Sequence, residues 1–213
     1  MPKMRQPKFH LSVAFFASVV LFSFGFSSLK AEDEKIFSSG DHCLAYRTPK
    51  KMFFFTDVIV IGKSCQVNAS TEMEGTKKRF IVAVPVESFD SDSNRRDEVV
   101  MEILKAEDHP DLRFETDWIS DSVIRNLLET GKGSLKGILS LAGRSYPVSF
   151  QMDFFSEGGN YRIEGHLDTN YTAFDMEPPV GGPGGFIAIV KDKLELLAHL
   201  QSAQITGFEE AIK

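Results

Sequence analysis

One stretch constrains this chain more than any other. Through Ser88–Thr116 a strand-like alternation breaks off, gives way to a helical pattern, and then resumes. Phe80, Val82, Val84 and Val86 alternate up to the break. Within Arg95–Ala106, Val99, Val100, Ile103 and Leu104 recur at helical spacing, an apolar stripe with charges opposite. Ser93 or Asn94 suits the amino-terminal cap, and Asp97 and Glu98 sit where the helix dipole favours negative charge. His109-Pro110 is expected to stop the helix, because a residue before proline is pushed away from helical dihedrals. Leu112, Phe114, Thr116 and Trp118 then alternate again. A helix set into an alternating chain predicts a lid on a sheet or barrel.

The rest of the chain reads as strands. Leu44–Thr48 is a short one that Pro49 ends, and Met52–Ile61 is a nearly continuous apolar run. Cys65–Thr71 and Lys78–Glu87 follow. Asp121–Thr130, with Val123, Ile124, Leu127 and Leu128 at helical spacing, predicts a second short helix capped by Ser120 or Asp121. Leu135, Gly137, Leu139 and Leu141 alternate, then Tyr146, Val148, Phe150, Met152 and Phe154 do so most cleanly. Tyr161–Ala173 and Phe186–Gln201 are expected as long strands, with the loop Pro178–Gly185 between them and the tail after Gln201 unassigned. Roughly eight or nine strands with tight turns and no β-α-β rhythm predict an all-β antiparallel fold, barrel or sandwich. Strands this long favour a barrel that encloses something.

The amino end has the plan of a secretory leader. Lys3, Arg5 and Lys8 precede the uncharged Leu11–Phe26, and Ala31 precedes the acidic Glu32-Asp33-Glu34. The expected division is a signal peptide at 1–31, a polar lead-in at 32–43, a barrel domain at 44–201 and a tail at 202–213. The expected location is the periplasm. Removing 1–31 takes Lys3, Arg5, Lys8 and Lys30 and no acid, so the net charge falls from −6 to −10. Such a chain is a poor partner for nucleic acid, and after cleavage no stable membrane insertion is expected. Cys43 and Cys65 predict a disulfide in an oxidising compartment, with two buried thiols as the other reading. A simple hairpin register is not expected to set them side by side.

No enzyme chemistry is visible. The five histidines are scattered without metal-ligand spacing, so no metal or cofactor is expected. No G-x-S-x-G or phosphate-loop motif occurs. Arg96-Asp97 is the best polar candidate, for the rim of a site. Its plainer reading has Asp97 stabilising the helix start and Arg96 pairing with a loop carboxylate. The glycine-rich loop is either a phosphate nest or an ordinary turn.

Three blocks carry a family resemblance. Ser88-Phe89-Asp90-Ser91 with Arg96-Asp97 is similar to an S-x-D-[ST]-x5-R-D motif, His109–Phe114 to [YH]-P-x-[IL]-x-F, and Gly137–Gly143 with Pro147-Val148 to G-x-L-x-L-x-G-x-x-x-P-V. Over roughly 42–200 the chain resembles the YceI-like family. Tyr171 and Asp175 depart from it, standing where Arg and Gly are frequent. The resemblance implies an eight-stranded lipocalin-like antiparallel barrel with a short helix inserted between two strands, holding an isoprenoid lipid such as a quinone or polyprenyl chain. The residues expected to face inward are Phe55, Phe80, Val82, Val84, Phe114, Trp118, Leu139, Leu141, Val148, Phe150 and Met152. Periodicity leaves open whether they fill the barrel or line a cavity; the resemblance implies a cavity. The expected function is non-enzymatic carriage or storage of such a lipid, the alternative a structural or stress-protective protein with a filled core. Whether the chain is a monomer or a homodimer is open.

Overall fold

The computed structural model describes residues 36–53, 56–181 and 188–213. The expected leader at 1–31 and Phe55 lie outside them. Strands β1 (Cys43–Met52) and β2 (Thr56–Ser64) form a hairpin, as do β3 (Asn68–Glu74) and β4 (Lys77–Pro85). A 3-10 turn, Val86–Ser88, leads to helix α1 (Asn94–Ile103). Then come β5 (Asp111–Thr116), β6 (Ile119–Ser120), α2 (Asp121–Thr130), β7 (Lys132–Leu141), β8 (Arg144–Glu157) and β9 (Asn160–Thr169). After a 3-10 turn at Tyr171–Phe174 follow β10 (Val180–Gly181), β11 (Ala188–Val190), β12 (Leu194–Gln201), β13 (Ile205–Thr206) and α3 (Phe208–Ala211). Among the described residues no helix is long and apolar enough to cross a membrane.

The mostly antiparallel expectation holds, but the closed eight-stranded barrel does not. Among the described residues one 13-stranded sheet runs from β2 through β1, β12, β9, β8, β7, β5 and β4 to β3. β2 and β3 follow one another in the chain yet do not pair, because other segments occupy their outer edges. β13 adds in parallel at Ala69 and Ser70 of β3. At Lys63 of β2 the backbone of Asp90 exchanges two hydrogen bonds, at 2.8 and 2.9 Å. The wall is therefore a rolled sheet with a seam.

Several boundaries shift for identifiable reasons. β1 does not stop at Pro49: it passes from β12, its neighbour up to Arg47, to β11, its neighbour from Lys50, and the proline without an N–H falls at the changeover. The single last strand is instead two, β11 and β12, separated by Lys191–Lys193. α1 ends at Ile103, before His109-Pro110, because Lys105 turns left-handed at φ 54°. The tail is not loose. Phe208 and Ala211 are buried, and Phe208 packs on Phe80 and Tyr161.

Two apolar clusters stack along the axis. The lower gathers Leu127, Leu135, Met152, Ile163, Leu200 and Phe208, and the upper Leu139, Leu141, Tyr171, Phe174 and Leu194. α2 belongs to the lower end, turning Ile124 and Leu127 inward and held by an ion pair from Lys78 to Asp121. β5 and β7 come so close at Gly137 that a Cβ there would lie 2.1 Å from the Glu115 carbonyl oxygen. Any side chain would push these strands apart.

The Cys43–Cys65 disulfide is present. The expectation that a hairpin would not align them is corrected: Leu44 faces Ser64, so the register carries Cys43 to a position opposite Cys65. The turn between Met52 and Thr56 is one residue longer than the tightest hairpin, which shifts the register accordingly. The bridge clamps the open end of the hairpin that borders the seam. Replacing both cysteines by serine should lower stability by about 3 kcal/mol through restored chain entropy, read as a reduced urea midpoint under non-reducing conditions.

Candidate functional site

The inward faces of β1, β4, β5, β7, β8 and β12 do not meet across the interior. They surround a cavity of about 210 Å³ whose lining is almost wholly carbon. Leu139 and Leu141 are packed into the wall, but Phe80, Val82, Phe114 and Phe150 point inward and remain only half-buried. A side chain inside a filled core loses that residual exposure; these keep it because they face a void. On β7 the lining extends from Leu135 to Leu141, a run of ~20 Å at strand rise, so the space is elongated along the axis.

Most of the expected lining is here: Phe80, Val82, Val84, Phe114, Leu139, Leu141, Phe150 and Met152. Phe114 and Phe150 meet with ring centroids 5.0 Å apart. Val148 lies on the inward face but packs into the upper cluster rather than onto the void. Trp118 is a correction. β5 ends at Thr116, the chain bends before β6, and the indole is left outside, 37% exposed under the Arg79 guanidinium at 4.9 Å. The inward position passes to Ile119, which packs on the lower cluster. Sequence reasoning missed Leu194, Leu196 and Leu200 of β12 and Phe208 from the tail. The two-residue spacing of the β12 leucines was a usable signal; nothing local marked Phe208.

The upper rim is polar. Asp97 Oδ1 accepts from the Ser91 amide at 3.1 Å and its hydroxyl at 2.6 Å, tying the loop to the start of α1. Arg96 does not pair with a loop carboxylate as expected; it donates to Ser91, through Nε to Oγ at 3.1 Å and through Nη2 to the carbonyl. The Tyr46 ring lies across Gly62, where a Cβ would collide with it, and meets the Phe89 ring at a tilt, with centroids 5.9 Å apart. Burial pushes the Tyr46 phenol up to about 12, so it stays a neutral donor facing Ser91. Burial raises Tyr171 as well, beside the Thr48 hydroxyl. Asp175 takes the left-handed conformation, φ 52°, that favours glycine; its carboxylate holds Arg144 at 2.9 Å and accepts from Tyr146 Oη at 3.3 Å.

One charged cluster sits outside the cavity. Ligand atoms of His166, Asp168 and Glu195 lie within 4.8 Å of one another on the outward face of β9 and β12. Burial raises the Glu195 carboxyl, but Lys193 and Arg47 more than offset this and hold it below its ordinary value. With two cations already on the carboxylate, the cluster is an ion-pair network and not a vacant cation site.

An apolar chamber under a hydroxyl-rich rim, walled by a rolled antiparallel sheet, has a counterpart among known folds. The YceI-like domain matches residues 48–202. The chain belongs to that family. No curated protein matches the chain. Several solved structures share this architecture, two of them as follows. BcnA of Burkholderia cenocepacia is 17% identical at a TM-score of 0.55, covering 75% of this chain and 95% of its own. A polyisoprenoid binding domain from Saccharophagus degradans is 10% identical at a TM-score of 0.53, covering 74% of this chain and 92% of its own. At such identities the likeness is one of fold.

The half-buried inward rings give this YceI-like cavity a mechanical test. Phe150→Ala should cost less than the about 3–5 kcal/mol of a truncation in a filled core, because the ring already borders empty space. Chemical denaturation measures it, and a loss in the full range would show that the interior is packed.

Proposed function

We propose that this protein is a periplasmic, non-enzymatic carrier or reservoir for an isoprenoid-type lipid, a quinone or a polyprenyl chain. The observation that carries the reading is the elongated, almost purely apolar cavity with polar groups at one end. That is the shape of an amphiphile with a long hydrocarbon tail. Membership of the YceI-like family supports it, and so does the likeness to a domain described as polyisoprenoid-binding. The periplasmic part rests on the leader pattern at 1–31 and on the disulfide, which suits an oxidising compartment.

Energetics favours carriage over extraction. Each buried CH₂ is worth ~0.8 kcal/mol against water, so a prenyl tail does not remain exposed in an aqueous space. A bilayer is as apolar as the cavity, so the protein gains little by taking the tail from it. Loading and unloading are then nearly balanced. The alternative of a structural protein with a filled core is disfavoured by the half-buried inward phenylalanines.

Organic extraction of protein purified from its native envelope, followed by mass spectrometry, should recover an isoprenoid lipid at a substantial fraction of the protein. Repeated recovery of no lipid, or only of straight-chain fatty acids, would count against the proposal.

A further inference from the structure

Beyond the upper end of β12 the sheet continues as a four-stranded extension. There β1 leaves β12 and pairs with β11, β10 adds beyond β11, and β2 flanks β1 on its other side. The extension adjoins the cavity. Pro179 is part of the cavity lining, and its carbonyl accepts the Val190 amide at 3.2 Å. Val180, the next residue, is 67% exposed.

The register fixes which side chains share the outer face. Tyr46 lines the cavity, so Arg47, Pro49 and Lys51, alternating with it along β1, point the other way. Residues directly opposite one another across a ladder share a face. Arg47 stands opposite Ile61, Pro49 opposite Ile59, Lys51 opposite both Asp57 and Ile189, and Ile189 opposite Val180. Among the described residues nine large apolar side chains are exposed, and four of them, Ile59, Ile61, Val180 and Ile189, lie on this one face. A fifth, Phe53, stands 61% exposed where β1 turns toward β2. Apolar side chains scattered singly over a surface need no explanation, but a contiguous set does.

The same face reverses the sign of the chain. Residues 49–53, 56–61, 179–181 and 188–191 carry Lys50, Lys51 and Lys191 against Asp57, three cations less one anion, in a chain whose net charge is −6. Lys191 pairs with Asp57 at 3.0 Å. Asp192, the next acid along, is turned to the amide and hydroxyl of Thr172. A second copy docked on this face about a two-fold axis would set its lysines against these. An anionic bilayer complements them instead, and takes up apolar side chains at its head-group boundary.

We propose that the outer face of this extension is a peripheral docking surface for an anionic lipid bilayer. This rests on the cavity being a lipid site and adds the surface from which it is filled. Docked here, the upper end of the bore lies beside the membrane, and a hydrocarbon tail passes between two apolar surroundings with little of it in water.

Co-sedimentation of the secreted chain, without 1–31, with sucrose-loaded vesicles tests this. Vesicles of phosphatidylcholine with about one-third phosphatidylglycerol should bind it at least about fivefold more tightly than phosphatidylcholine alone, and added salt should narrow the gap. Phe53→Asn and Val180→Thr should each weaken binding by about threefold or more, and Lys51→Gln by about fivefold. Asn suits the left-handed backbone of Phe53, φ 48°, so that substitution does not strain the turn. Unchanged urea midpoints report that the variants keep their fold. The vesicles contain no isoprenoid, so a chain that binds neither vesicle overturns the docking surface and leaves the carrier reading standing. A chain that docks but yields no lipid on extraction overturns the cargo and not the surface. Variants that bind like the parent overturn the assignment to this face, and binding indifferent to phosphatidylglycerol overturns the role of the lysines. A dimer seen by analytical ultracentrifugation without vesicles, and dispersed by the same substitutions, overturns the proposal in favour of a second copy.

Discussion

A wall whose inner faces do not touch must be held by its own ladder. In an ordinary core, packing across the interior contributes most of the stabilisation; here the middle of the bore is empty, and the inward phenylalanines of β4, β5 and β8 contribute less than full burial. The compensation lies in long uninterrupted pairings. β7 with β8, β8 with β9 and β9 with β12 run in register over much of their lengths, leaving few buried backbone groups to satisfy. Gly137 serves the same end by letting β5 lie close against β7.

The ladder has one weak place, the seam between β2 and β3, and the structure spends its special devices there. The Cys43–Cys65 bridge fastens the open end of the β1–β2 hairpin. Lys63 and Asp90 stitch β2 to the loop that begins α1. β13 covers part of the β3 edge, and Phe208 behind it fills the lower end. Covered edges do not recruit other chains. The same devices fix the rim, because the Asp90 stitch places Ser91, and Ser91 positions both Arg96 and Asp97.

The repeating parts of this arrangement were legible in the sequence. Strands with clean alternation, such as Tyr146–Phe154, named their inward residues correctly, because period two is local. The helical patterns in Arg95–Ala106 and Asp121–Thr130 were legible for the same reason. What failed depended on distant partners or on single backbone angles. The Cys43–Cys65 register turned on one extra residue in a hairpin turn. Trp118 kept the alternation in sequence but lost it in space, because the chain bends after Thr116. Pro49 reads as a strand end, yet it sits where β1 changes neighbours and no N–H is required. Closure was unreadable for a topological reason: nothing near β3 announces that a segment more than a hundred residues later will take its edge.

The two ends of the bore divide the work. At the lower end, Leu127 and Phe208 present only carbon, so a hydrocarbon tail reaching them would meet a surface as apolar as a bilayer interior, and its length would barely change the balance between the two. Discrimination therefore falls to the rim. A charged head group is favoured there only by as much as the rim outcompetes the water that hydrates it in the membrane interface. In the proposed carrier, affinity for the tail and selectivity for the head are consequently separable.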